Sequence, residues 1–291
     1  MFSVIAVVTP ISSLDDSLVN RAAPAGSMRY FALLYTEPAD RDVVTALYVI
    51  DAEIRESAQS ANHDVAHTRL QWWRQEIDRL VNNNPQHPAT HILAARAGFD
   101  RKRFSRLHEL IVAADMDLVR MTYLNDRELR SYCSRSGGIV QELIAAVLSN
   151  GPEDIAVSEF ARRIGTGIRQ AEILRDLRQD AYDGRMYLPL DELERDNVSL
   201  EDLRAKEVKP ALRNVLERFV PRIETELELE VADPALAKAY LRPVFVLGAL
   251  HRQLVRRIAR RGYDVATQRH DLGPIEKPWV AWRAARKLSD G

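Results

Sequence analysis

Apolar residues recur at intervals of three and four along almost the whole chain, the period of one helix face. In DRDVVTALYVIDAEIRESA, Val43, Val44, Leu47, Tyr48, Ile50 and Ile54 make one stripe, and Pro38 suits the first turn before it. VAHTRLQWWRQEIDRLV sets Leu70, Trp73, Ile77 and Leu80 together, whereas the consecutive Trp72 and Trp73 cannot share a face, and Trp72 is left for another neighbour or a lipid. A turn-rich loop from Asn82 to Pro88 precedes a short helix from Thr90. Longer helices are predicted over Leu107 to Leu124 and Glu128 to Leu148; Gly137 and Gly138 thin the second and permit close approach of a backbone or ligand. After Pro152 a helix runs through FARRIGTGIRQAEILRDLRQD and stops in a turn at Gly184. Then follow a turn of helix at Leu200 to Arg204, a helix from Pro210 to about Leu227 with Pro221 inside it, and a last long helix capped by Asp233. No strand–helix alternation, glycine-rich phosphate loop or fixed-period repeat interrupts this series. The pattern predicts one all-α domain of about eight or more helices.

The first 27 residues differ. MFSVIAVVTPI is apolar, but Pro10 ends it well short of the roughly 20 residues that span a bilayer, and no basic segment precedes it as in a secretory signal. SSLDDSLVNRAAPAGS reads as a linker, so residues 1–27 are expected to be a poorly ordered arm, with Met28 an alternative start and 28–291 the domain. No other segment approaches membrane-spanning length, and no basic amphipathic helix stands out. A soluble or at most peripheral protein is expected.

The 41 basic and 42 acidic residues nearly cancel, so no overall field points to nucleic acid. A single cysteine, Cys133, excludes an internal disulfide and fits a reducing compartment, whence a cytoplasmic location is expected; beside Tyr132 it reads as a core residue. His63 and His67 lack a third ligand nearby and read as surface residues. The run RRIARRGY complements the negative end of a helix.

The chemistry concentrates in RQAEILRDLRQDAYDGRMYLP, residues 169–189. Asp176 and Asp180, four apart on a helix, project from one face about 6 Å apart along the axis, and Glu172 extends the stripe. Oxygen ligands so spaced suit Mg²⁺, which keeps several waters and bridges to phosphate oxygens. Arg175, Arg178 and Arg185 flank them, and an exposed helix laced with ion pairs would show the same spacing.

The blocks SMRYFALLYTEPADRDVVTALY, RLQWWRQEIDRL, YCSRSGGIV and LRDLRQDAYDGRMYLP, in this order, resemble the squalene and phytoene synthase family of trans-isoprenyl diphosphate synthases. The resemblance implies an all-α isoprenoid synthase fold around a cavity. It also implies two acidic motifs on facing helices that hold Mg²⁺ against prenyl diphosphates, and head-to-head joining of two allylic C15 or C20 diphosphates. Asp176 and Asp180 match the second acidic motif and would be catalytic metal ligands, with Glu172 beside them where the family has an asparagine. Arg175, Arg185, Tyr187 and Ser27 match residues around the diphosphates, and Tyr48 matches a tyrosine upstream of the first acidic motif and would be catalytic. The first motif is missing: Ala52, Arg55, Glu56, Ser57, Ala58 and Gln59 stand there, and Glu53 with Glu56 could form only a displaced pair. Arg29 replaces a second serine and Arg169 a glutamine.

These changes remove carboxylates and add guanidiniums, which can grip phosphate by paired hydrogen bonds but stabilise a leaving diphosphate less than a doubly charged ion does. Two readings stay open: a divergent Mg²⁺-dependent prenyltransferase, or a non-catalytic member that binds an isoprenoid or a protein partner. The second resembles family members that assist assembly of respiratory complex I, which share an EIRES-like segment before a WWR-type helix.

Overall fold

Helices follow the apolar stripes closely. The structure is a computed structural model that describes residues 13–149, 151–230, 236 and 238–288. It opens with α1 (Asp16–Ala22), α2 (Met28–Leu34), α3 (Arg41–Ala58), α4 (His63–Val81) and α5 (Pro88–Ala94). The middle comprises α6 (His108–Leu118), α7 (Asp126–Cys133), α8 (Ile139–Ser149) and the long α9 (Ile155–Tyr182). Short α10 (Leu190–Arg195) and α11 (Leu200–Arg204) lead to α12 (Pro210–Glu226), α13 (Arg242–Arg260) and α14 (Glu276–Arg286). No strand occurs among the described residues. Polar side chains start the helices: Ser27, Asn62, Asn125 and Asp154 each accept from a backbone N–H of the first turn, and Ser199 with Asp202 forms a reciprocal capping box.

The helix α9 is the axis of the molecule, packing against α7, α8, α11, α12 and α13. Leu70, Trp73, Ile77 and Leu80 of α4 are buried as their spacing predicts, and Trp72 is 37% exposed with the Arg79 guanidinium over its ring. Cys133 is fully buried.

Four expectations need correction. The stretch read as a linker contains α1, which packs on α3 and buries Val19 and Ala22, while the Ser13 backbone N–H donates to Asp42 Oδ1 at 2.7 Å; residues 1–12 of the arm lie outside the described residues. The helix read through Leu124 stops at Leu118, and Arg120 turns the chain with φ 51°. The helix read from Glu128 to Leu148 is divided by a π-helical turn, Ser134–Gly138, between α7 and α8. Finally, α13 begins at Arg242, and α14 lies beyond the helix read as last; Asp233, its expected cap, lies outside the described residues.

The π turn has a physical cause. A Cβ on Gly137 would fall against the Gly165 carbonyl, and one on Gly165 against the Gly137 carbonyl, so α9 and the turn touch backbone to backbone. The extra residue in the turn keeps the chain helical while it passes this crossing, and it aims the Ser136 carbonyl at the site.

Candidate functional site

The facing surfaces of α3 and α9 carry a partly buried lattice of charges. Asp51, wholly buried on α3, accepts from Arg29 of α2 and from Arg55 Nε at 2.7 Å. The same Arg55 donates through Nη1 to Glu172 Oε2 at 3.1 Å and through Nη2 to the Ser136 carbonyl at 2.9 Å. Arg169, one turn below Glu172 on α9, reaches its Oε2 at 3.4 Å and donates to the Tyr132 hydroxyl at 2.7 Å and the Tyr187 hydroxyl at 3.3 Å. Both hydroxyls in turn donate to Asp117 at the end of α6, at 2.8 and 2.7 Å. Burial would raise the Glu172 carboxyl, but the Arg55, Arg169 and Arg29 guanidiniums hold it well below the usual carboxylate range. Arg55 and Arg169 are correspondingly fixed as cations, burial being outweighed by their acidic partners.

One turn beyond Glu172, Asp176 is gripped from both sides. Arg175 donates Nε to its Oδ1 at 3.0 Å and Nη2 to its Oδ2 at 2.5 Å, and Arg269, from the segment between α13 and α14, donates Nε to Oδ1 at 2.6 Å and Nη2 to Oδ2 at 3.1 Å. Burial raises the Asp176 carboxyl, and these guanidiniums more than reverse it. Asp180, one turn further, is different. It makes no side-chain hydrogen bond or ion pair among the described residues, and burial, reinforced by Asp176, pushes its carboxyl up to about 7 against the partial opposition of Arg169 and Arg185.

Three openings meet along this face. The largest, about 840 Å³, lies between the C-terminal half of α9, the end of α3, the turn after α6 and residues 265–269; Arg120, Arg175, Arg178, Arg185 and Arg269 line it with Asp176 and Asp180. A smaller space of about 230 Å³ reaches inward past Ser27, Arg29, Arg55 and Glu172 to Val140, Ile168, Leu247 and His251. A third, about 360 Å³, opens beside Arg21, Arg29, Arg55 and Arg169. Arg175 lines all three. Burial pushes His251 down to about 4, so its ring is neutral at pH 7 and Nδ1–H donates to the Leu247 carbonyl at 2.8 Å.

Each residue picked out in the sequence now has a place. Arg29, Arg55, Arg169, Glu172, Arg175, Asp176, Asp180 and Arg185 come together on this face. Ser27 lines the inner space, its Oγ accepting the Tyr30 N–H as the cap of α2. Tyr48 and Tyr187 are buried: Tyr48 lies under Arg29, with burial pushing its hydroxyl up to about 12, and Tyr187 stacks on Tyr132. Glu53 and Glu56 turn to Arg21 of α1, at 3.8 and 3.5 Å, rather than toward Glu172. Asp51, Asp117, Tyr132 and Arg269 were not anticipated. Asp51 had a signal, since it follows Leu47 by four within an apolar stripe and must therefore be buried with a partner. Arg269, in a loop of no regular pattern, had none.

Magnesium takes one or two carboxylates, keeps several waters and bridges to phosphate oxygens, so an ion held between two acidic motifs needs a free carboxylate from each. Here Asp51, Glu172 and Asp176 are each clamped by two guanidiniums, and only Asp180 of this acidic set is unengaged. Among the described residues no group of three His, Cys, Asp or Glu converges on a common point. The donor set does not fit magnesium held between two acidic motifs. What it offers is a surface where arginines outnumber carboxylates, suited to a multiply charged anion.

Comparison with known proteins agrees with this architecture. A dehydrosqualene synthase crystallised with ligand superposes with a TM-score of 0.80 over 94% of this chain and 96% of its own, at 16% identity. A squalene synthase from Alicyclobacillus acidocaldarius gives 0.69 over 85% and 92%, at 20% identity. These likenesses bear on the fold. In sequence, the chloroplastic phytoene synthase of Narcissus pseudonarcissus is 27% identical over 255 residues, 85% of this chain and 60% of the relative. The phytoene synthase of Arthrospira platensis is 29% identical over 212 residues, 69% of each. The chain therefore spans well under two thirds of the Narcissus protein. The squalene/phytoene synthase family profile matches residues 22–276, and the chain belongs to that family.

Proposed function

We propose that the protein binds a prenyl diphosphate on the α3–α9 face, its diphosphate held by guanidiniums, and that it does not carry out efficient head-to-head condensation. The observation that carries this reading is Arg55, which stands where the first acidic motif would be and is locked by Asp51, Glu172 and the Ser136 carbonyl. A diphosphate entering the 840 Å³ cleft meets Arg175, Arg185 and Arg269, and Arg29 lies at the neighbouring openings. Guanidiniums supply paired hydrogen bonds for binding, but their charge is singly positive and spread over three nitrogens, so they stabilise a departing diphosphate poorly. The inner space, about 230 Å³, falls below the roughly 300–1,000 Å³ usual for small-molecule pockets and accommodates no pair of C15 chains.

A second reading, prenyl transfer with a divalent ion, is favoured by one observation: Asp180 faces the cleft with its carboxyl unengaged. Calorimetric titration with farnesyl or geranylgeranyl diphosphate, with and without Mg²⁺ and followed by product extraction, separates the two. Binding without Mg²⁺ and without product supports the first reading, with Arg175→Ala and Arg269→Ala each weakening it about tenfold. Mg²⁺-dependent binding with a C30 or C40 product establishes the second. Absence of binding by folded protein overturns both.

A further inference from the structure

The helix α14 presents its largest apolar side chains outward. Its inner face is alanine, with Ala281, Ala284 and Ala285 buried and Leu288 just beyond, whereas Trp279 and Trp282 are 55% and 41% exposed. Ile275, immediately before the first turn, is 84% exposed. The two indoles stack with centroids 5.1 Å apart, and the Arg286 guanidinium lies over the Trp282 ring at 4.9 Å. Arg283 is exposed between them along the helix. A groove of about 320 Å³ continues the patch to the end of α2, where Leu34 is 41% exposed, and its wall includes Tyr35, Arg41, Trp282 and Arg286. Acids beside this face are engaged: Glu276 pairs with Arg257 and accepts from Gln253 at 2.7 Å, Glu230 accepts from Arg252 and Lys287, and Glu37, which lines the groove, lies 3.5 Å from Arg242.

We propose that this face of α14 and the end of α2 docks on the surface of an anionic lipid bilayer. Exposed indoles with arginines beside them match the boundary between headgroups and acyl chains, where the ring is half in hydrocarbon and the guanidinium reaches phosphate. Leu34 and the groove supply room for an acyl segment beneath the headgroup. The charge decides the occupant: a second copy related by a two-fold axis would set Arg283 and Arg286 against their counterparts, whereas anionic lipids neutralise them.

Sedimentation of the full chain with vesicles of phosphatidylcholine, alone or mixed with phosphatidylserine, tests this. The chain is expected to pellet with the mixed vesicles, less so as salt is raised, and its tryptophan emission to shift to the blue. Trp279→Ala combined with Trp282→Ala, and separately Arg283→Glu with Arg286→Glu, are each expected to weaken vesicle binding about tenfold. Arg283 is exposed, so its substitution leaves the core intact even if the double tryptophan variant fails to fold. The proposal is overturned if the chain stays in the supernatant with both vesicle types or if the charge-reversed variant pellets like the parent. It is equally overturned if light scattering finds concentration-dependent association that Arg283→Glu abolishes, which would assign the face to a second copy.

Discussion

At the scale of single residues, the site turns on what each carboxylate is paired with. Glu172 neutralises two partly buried guanidiniums, so Glu172→Gln leaves Arg169 with only neutral or shared partners and is expected to cost about 2 kcal/mol in chemical denaturation. Because its carboxyl lies below the ordinary range when folded, the stability it contributes is present above that range and disappears as pH falls through the lower folded value; the variant should show a flatter acid limb. Asp180 has the opposite sign. Its carboxyl titrates near 7 in the folded state and near the ordinary value unfolded, so the native protein binds the extra proton between them and loses stability as pH rises across that interval. Asp180→Asn should therefore be more stable than the parent by about 4 kcal/mol above pH ~7.5, the difference vanishing below pH ~4. Thermal unfolding of the two proteins across that range checks the sign. The same substitution should tighten diphosphate binding above neutrality, where the parent presents a carboxylate to the ligand, and leave it unchanged in acid.

At the scale of elements, the crossing of α9 with the π turn sets the distance between the two halves of the lattice. Gly165→Ala drives a methyl group into the Gly137 backbone, which cannot move aside as a side chain could, and should cost about 3 kcal/mol or more. Arg55 should lose its Ser136 partner in the same variant. Much of this level was legible in advance: the stripes of α3 and α4 gave their positions because a single buried face with period 3.6 leaves its mark on the sequence, and Pro152, Gly184 and Pro210 bounded α9 and α12. The division of the Glu128 helix was not legible, since a π turn keeps the same composition and changes only the register. Nor was the face of α14, whose tryptophans would ordinarily mark the buried side and here mark the exposed one. The site was readable where acids sit at helical spacing on one element, as with Glu172, Asp176 and Asp180. It was unreadable where partners arrive from distant segments, as Arg269 and Asp117 do.

At the scale of the whole molecule, the chain before Met28 contributes to the fold. Leu14, Val19, Ala22 and Ala23 are buried, and Ser27 caps α2. A chain begun at Met28 should be less stable by about 3–5 kcal/mol, from lost apolar burial and a lost cap, as denaturant titration would show. No described helix is long and apolar enough to cross a membrane. Arg269 links the segment after α13 to Asp176 on α9 and lines both the outer cleft and the inner space. Any anion seeking that guanidinium must compete with a carboxylate already in a two-point grip. A singly charged ligand would exchange one such partner for another, whereas the diphosphate of the proposed function would bring enough negative charge to compete for Arg175 and Arg269 together. On the proposed reading, the clasp would act as a threshold on charge density, favouring pyrophosphate esters over singly charged carboxylates.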